Sequence, residues 1–300
     1  MSGPSKSKHK FIFYILPIIL LFVSNDVTAV TKSSTVINRN ATNISTIASQ
    51  IKSIIKKYPN LLCGIYVCPL NNKKDIININ GDTQFPAASL IKLPVAVALL
   101  KKIDKKEISW NEVLVLKRHH YAQGAGFIRT RRAGTKIKLR EVFRLMLTIS
   151  DNTATNMIID RLGGVNAAHR EIVKLGFKNT KLVNWLGDFK GTNKTSPHDL
   201  VELLEKSLEG NLLNNDSKRI LRSTLFDVAN KSLIKRGLGK YTKFAHKTGT
   251  IGICVGDAGI MYLPWGKKIG ISIIVKRPFN SLNGQKVIRE ISSLVYKQIK

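Results

Sequence analysis

The sequence predicts an α/β fold of the α+β kind: one sheet built from both ends of the chain, flanked by terminal helices, with an inserted all-α subdomain over about 104–240. Three observations predict it. Strand-like runs cluster near the two ends, helical periodicity fills the middle, and a helical pattern flanks the strands at each end. The 300 residues, 43% of them hydrophobic, suffice for a sizeable core.

The elements follow in order. Ile44, Ile47, Ile51, Ile54 and Ile55 recur at helical spacing and predict a helix from Ile44 to Lys57. Leu61 to Cys68 and Asp75 to Asn80 read as strands, with turn chemistry at Asn71-Asn72. Phe85-Pro86-Ala87-Ala88 leads into a helix from Ser89 to Ile103, and its first turns tolerate Pro94. Helices are expected over Leu139–Ile149, Asn152–Leu162, Val165–Leu175, Pro197–Leu208 and Ser217–Ile234, with Gly163-Gly164 and Gly176 as stops. Strands return at Phe244–Thr248, Asp257–Tyr262 and Ile269–Val275, and a last helix runs from about Lys286 to Ile299. A crevice between the sheet and the helical insertion is the natural place for a site.

The N-terminus reads as an export signal. Lys6, Lys8, His9 and Lys10 precede an apolar run from Phe11 to Val23, and Val27-Thr28-Ala29 offers the small residues of a cleavage site. The run is shorter than the ~20 residues of a spanning helix. Residues 1–29 are therefore expected to be a signal peptide, with an uncleaved anchor as the alternative, and 30–43 a linker. The expected location is secreted or periplasmic. An oxidising destination allows Cys254 to pair with Cys63 or Cys68, or leaves three buried thiols. Cys63 and Cys68, five apart in one strand, point to opposite faces and should not pair with each other. Neither cysteine spacing nor nearby histidine suggests a metal site.

Charge is the unusual property: 49 Lys+Arg against 19 Asp+Glu, a formal +30, spread along the chain. It suits either a solvated cationic surface or attraction to an anionic polymer such as cell-wall polymer. No nucleic-acid motif accompanies it, and the aromatic residues are too scattered for a stacking platform.

Three short motifs carry chemistry. Ser89 and Lys92 stand three apart at a helix start, on one face, so an amine can serve a hydroxyl as base once burial or other cations disfavour its charge. Ser150-Asp151-Asn152 falls at a break between helices, and Lys247-Thr248-Gly249-Thr250 at the end of a late strand. Each is bland alone. Together, in this order, they match Ser-x-x-Lys, Ser-Asp-Asn and Lys-Thr-Gly of class A β-lactamases and penicillin-binding proteins. From Ile44 to Lys300 the chain resembles that superfamily, class A most closely. Phe85 to Pro94, Leu147 to Asn156 and Asp160-Arg161-Leu162-Gly163-Gly164 extend the likeness.

The resemblance implies an antiparallel sheet flanked by helices and an acyl-enzyme mechanism. It implies Ser89 as nucleophile, Lys92 as its base, Ser150 as proton shuttle, and Asn152 as support for Lys92 and partner of a substrate amide. It implies Lys247 and Thr248 as holders of a substrate carboxylate, Gly249 as the point of close approach to the ligand, and the N–H groups of Ser89 and Thr250 as an oxyanion hole. Asp151 would brace the turn. No cofactor is expected, and the protein is expected to be a monomer.

One departure matters. Class A enzymes carry a loop glutamate, usually Glu-x-x-x-Asn, that activates the deacylating water. Here no glutamate occurs from Ile172 through Val201; Asp188 is the only carboxylate of the stretch Asn184 to Asn193. Asp188 is either a stand-in base, with Asn193 nearby, or a turn residue. Three readings follow: a hydrolase opening β-lactams with slow deacylation, a D-Ala-D-Ala peptidase acting on wall peptides, or a non-catalytic wall-binding module.

Overall fold

The computed structural model describes residues 44–70 and 76–299. The signal peptide and linker expected over 1–43, and the turn expected at Asn71-Asn72, lie outside these residues. Among the described residues no helix is long and apolar enough to cross a membrane.

The described residues begin with helix α1 (44–56) and continue into strands β1 (Leu62–Pro69), β2 (Ile77–Ile79) and β3 (Phe85–Pro86). Helix α2 (Lys92–Asp104) follows, then β4 (Val113–Val115) and β5 (Lys136–Lys138). Next come α3 (Leu139–Thr148), α4 (Asn152–Arg161), α5 (Val165–Val173), β6 (Lys194–Thr195), α6 (Pro197–Leu208) and α7 (Asn215–Phe226). Strands β7 (Lys243–Ile251), β8 (Cys254–Tyr262), β9 (Lys268–Lys276) and helix α8 (Asn283–Gln298) close the fold.

The main sheet has the order β2-β1-β9-β8-β7, antiparallel throughout. It joins the two ends of the chain, since β1 pairs with β9 from Leu62↔Lys276 to Pro69↔Ile269. Both faces are buried, and the two-residue period sorts them. Ile65, Val67, Val255, Ile271 and Ile273 face a core shared with α1 and α8. Ala245, Cys254, Ala258, Ile260 and Ile274 face the core containing α2. Residues 92–100 of α2 are all buried, so this helix is apolar nearly all round and runs through the centre.

Three expectations need correction. The segment 104–240 is not all-α: β4 pairs with β5, and β6 pairs with β3. These strands are two or three residues long, too short for periodicity to reveal. The helix expected to reach Ile234 ends at Phe226, because the next segment is recruited elsewhere: Ala229 N–H donates to Thr148 O (2.9 Å). The Lys-Thr-Gly motif lies inside β7 rather than at a strand end, since Gly249, Thr250 and Ile251 continue the pairing with β8. Of the two cysteine alternatives, the structure holds three buried thiols. They sit in three separate clusters, Cys63 behind the sheet, Cys68 beside Tyr66 and Val201, and Cys254 in the α2 core.

Candidate active site

The nucleophile candidate stands on a turn, not on the α-helix proper. Ala88–Ile91 form a 3-10 segment that runs into α2 at Lys92. Ala88, Leu90 and Ile91 are buried and anchor the turn, while Ser89 stays half-buried. Ala88 adopts φ 46°, a left-handed conformation that costs about 1 kcal/mol or more for a residue with a Cβ. Two contacts support the turn. Ala87 N–H donates to Asn193 O (2.8 Å). Gly249 of β7 passes so close that an added Cβ would lie 3.0 Å from Leu90 N and 3.1 Å from Ala87 O. Gly249 thus packs against the backbone on either side of Ser89.

Lys92 is completely buried. Its Nζ donates to Asn152 Oδ1 (2.7 Å), Ser150 Oγ (3.0 Å) and the Ser150 carbonyl. Ser150 reaches Lys92 with two oxygens because it sits at φ 61°, where carbonyl and side chain face the same neighbour. Burial, and then the charge of Lys247, hold the Lys92 amine well below the usual lysine range; Asp151 opposes them. Once neutral, the amine keeps two N–H donors and gains a lone pair; the Ser150 hydroxyl, which can itself donate, is the neighbour able to face that lone pair, and such an amine can accept a proton.

Asp151 and Asn152 are placed by a glycine-rich loop. Asp151 caps α4, accepting from Ala154 N–H (2.8 Å), and its other oxygen accepts from Phe127 and Ile128 N–H (2.8 and 2.9 Å). Asn152 N–H donates to Ala125 O (3.0 Å) and its Nδ2 to Gln123 O (2.7 Å). A Cβ on Gly126 would fall 2.2 Å from the Asp151 carboxylate, and one on Gly124 2.8 Å from Asn152 Nδ2. Gly124 and Gly126 have φ of 95° and 98°, which glycine tolerates. Sequence reasoning passed over Gly124-Ala125-Gly126, although two glycines flanking one residue were a legible signal.

Lys247 completes the cationic side. It is fully buried, and its Nζ donates to Thr248 O (2.6 Å). Burial lowers its pKa to about 8, against the pull of Asp257. Ser89, Ser150, Lys247, Thr248 and Thr250 line one open cavity of about 280 Å³ together with Ala125 and residues 228–230. Residues 228–230 (Val228, Ala229 and Asn230), which sequence reasoning did not single out, belong to no motif and arrive through the bond to Thr148 O.

Asp188 does not line this cavity. It is buried, and each carboxylate oxygen is taken within its own loop: Oδ1 by Thr192 Oγ1 (2.8 Å), Oδ2 by Asn193 N–H (2.7 Å). Asn193 in turn accepts from Val183 and Asn184 N–H through Oδ1 (2.8 and 3.0 Å). The loop is also clamped to α4. Asn156 accepts from Leu186 N–H (2.9 Å) and donates to Leu186 O (2.7 Å). Asn156 lies one helical turn beyond Asn152, on the same face, so Leu186 is held one turn from the Lys92 partner.

One group of potential metal ligands occurs among the described residues, His119, His120 and Asp160. Its chemistry opposes a cation. His120 Nδ1 accepts from Lys117 N–H, so Nε2 carries the ring proton, 3.2 Å from Asp160 Oδ2. The same oxygen already meets Lys117 Nζ at 2.9 Å.

Comparison with known proteins agrees with this geometry. Residues 46–299 match the beta-lactamase enzyme family. A beta-lactamase of Bacteroides uniformis is 26% identical over 274 residues, covering 83% of this chain and 92% of that protein. Beta-lactamase VEB-1 of Pseudomonas aeruginosa is 26% identical over 250 residues, 75% of this chain and 82% of VEB-1. Among solved structures, a point mutant of PBP-A, in an acyl-enzyme complex with penicillin G, has a TM-score of 0.83 and 39% identity, covering 85% of this chain and 96% of that one. TLA-1 extended-spectrum beta-lactamase gives 0.79 and 26%, covering 86% and 99%. The sheet, the buried lysine beside Ser150 and a match spanning nearly the whole described chain lead to one conclusion: this protein belongs to the beta-lactamase enzyme family and is a class A β-lactamase-like serine hydrolase.

Proposed function

We propose that the protein is an exported enzyme that opens β-lactams through an acyl-enzyme on Ser89 and releases the product slowly. One contrast carries the reading. Lys92 is buried, depressed in basicity and bonded to Ser150 and Asn152, whereas the only carboxylate of the 184–193 loop is consumed within that loop. In the proposed sequence Ser89 Oγ attacks the lactam carbonyl as its proton passes to Lys92. The C–N bond breaks, and the proton returns through Ser150 to the leaving nitrogen. Lys247 and Thr248 hold the substrate carboxylate, and Asn152 a substrate amide. The N–H groups of Ser89 and Thr250 receive the oxyanion. Water must then cleave the ester, and no carboxylate lines the cavity to activate it.

A second reading is favoured by the PBP-A likeness, whose identity of 39–40% exceeds the 24–26% of the TLA-1 and Bacteroides cellulosilyticus β-lactamase structures. Under it the natural substrate is a peptide ending in D-Ala-D-Ala, and penicillin mimics it. Incubation with penicillin followed by intact-mass measurement tests both. A long-lived adduct on Ser89 is expected, and release of D-alanine from a pentapeptide would then favour the peptide. An adduct lost within seconds overturns slow release, and no adduct on folded protein leaves only a wall-binding module. Export rests on the basic-apolar layout of residues 6–29. An intact N-terminus on cytoplasmic protein would sink it.

A further inference from the structure

Strand β7 walls two cavities. Successive side chains alternate faces, so Lys247 and His246 point to opposite sides of the sheet. Behind His246 lies a second cavity of about 490 Å³, walled by Phe226 and Phe244 and ringed by Lys231, Lys235, Lys240 and Lys243. It shares no lining residue with the Ser89 cavity.

Its polar groups do not satisfy one another. Thr242 and His246 both line it. Thr242 is 2% exposed and His246 1%, yet Thr242 Oγ1 and His246 Nε2 have no hydrogen-bond partner within the protein. His246 Nδ1 is 2.8 Å from Asp257 Oδ1, which leaves Nε2 as the unanswered edge of the ring. A buried polar atom without a partner is costly, so two on one cavity wall point to a ligand that answers them. The charges are equally one-sided. No carboxylate lines the cavity. Lys235 donates to Thr242 O, and burial together with the neighbouring Lys231 lowers its basicity, the mark of cations without a counter-charge.

We propose that this cavity binds a phosphate group, of the kind repeated along an anionic polymer. The donor set fits a tetrahedral oxyanion better than a planar carboxylate. The ammoniums of Lys231, Lys240 and Lys243 at the rim (Lys235 being committed to Thr242 O) and the Thr242 hydroxyl outnumber the two oxygens of a carboxylate. Nε2, which accepts while Nδ1 donates to Asp257, takes its hydrogen bond from a hydroxyl of the ligand, that of monohydrogen phosphate or of the glycerol unit between chain phosphates. Tyr241, 79% exposed with Lys240 Nζ 5.7 Å from its ring, offers an apolar lip along which a chain can run.

The test uses the full mature protein, with inorganic phosphate and a poly(glycerol phosphate) chain as probes, at constant ionic strength in chloride. Calorimetry should show saturable binding of phosphate, with amide shifts concentrated in residues 231–246. Lys240→Ala with Lys243→Ala should weaken it about tenfold or more, and Thr242→Val should weaken it while preserving shape. Penicillin acylation should be unchanged in each variant. Tighter binding of the polymer than of inorganic phosphate identifies a chain-borne phosphate as the ligand, and equal binding identifies the free ion. Binding that does not saturate, shifts spread over the whole basic surface, or affinities indifferent to these substitutions would overturn the proposal.

Discussion

The surroundings of Lys92 and the loop 183–193 are both tightly hydrogen-bonded, but they spend their polar groups differently. Around Lys92 the bonds converge on one amine, which burial leaves short of charge and adjacent to an open cavity. In the loop the bonds close on themselves: Asp188 on Thr192 and Asn193, Asn193 on Val183 and Asn184. Density of hydrogen bonding therefore does not mark a catalytic group; what differs is that the bonds of Lys92 reach Ser150, which lines the cavity, whereas those of Asp188 stay within its own loop. Leu186 shows the loop's other side. Asn156 fixes its backbone one helical turn from Asn152, and the Leu186 side chain is apolar and buried in the core that contains α2.

Four measurements can break or sharpen this contrast. The largest effect is expected at the amine. Lys92→Ala should lower the rate of Ser89 acylation by ~10²–10⁴, read by adduct formation on protein shown to be folded by circular dichroism. Next, Leu186→Glu should place a carboxylate where the loop lacks one and speed adduct release by about 10². Unchanged release would show that the missing base is not what makes release slow.

The pH profile comes third. Lys92, pushed well below the lysine range, should lose its proton at a lower pH than a surface lysine does. Lys247, with a pKa of about 8, is charged below that pH and loses its charge above it. Acylation by a penicillin should fall above about pH 8, and this limb should vanish for a penicillin ester that lacks the carboxylate. For stability the sign is the reverse. Burying the Lys247 charge costs most below about 8, and that cost is relieved as pH rises from about 8 towards the unfolded value of 10.5. The smallest catalytic effect belongs to Asp188→Ala. Release should change little, while two loop donors lose their acceptor, at about 1–3 kcal/mol of stability, seen as a lower melting temperature. Markedly slower release would restore Asp188 as a base.

Much of the site was legible because residue types at fixed intervals name a chemistry. Ser89 and Lys92 share a turn, Ser150 and Asn152 flank a helix cap, and Lys247 and Thr248 lie on one strand; each relation is local. The environment of Asp188 was not legible. A lone aspartate in a loop reads alike whether it faces a substrate or its own backbone, and the choice depends on how residues 188–193 curl. Residues 228–230 were invisible for a related reason, since a backbone bond to Thr148 O rather than a motif brings them to the cavity. Gly124 and Gly126 stood in plain view, but their need to clear Asp151 and Asn152 appears only once the loop lies against α4.

The sequence by itself determined the two-ended sheet, the central helices and the order of the three motifs, because periodicity and short spacings act within a few residues. Tertiary structure alone decided that β7 runs through Lys-Thr-Gly to Ile251, that short strands interrupt the helical insertion, and that the cysteines stay apart. It also decided that Asp188 is turned inward. These outcomes depend on contacts between residues distant in the chain, where burial and hydrogen-bond closure outweigh any local preference.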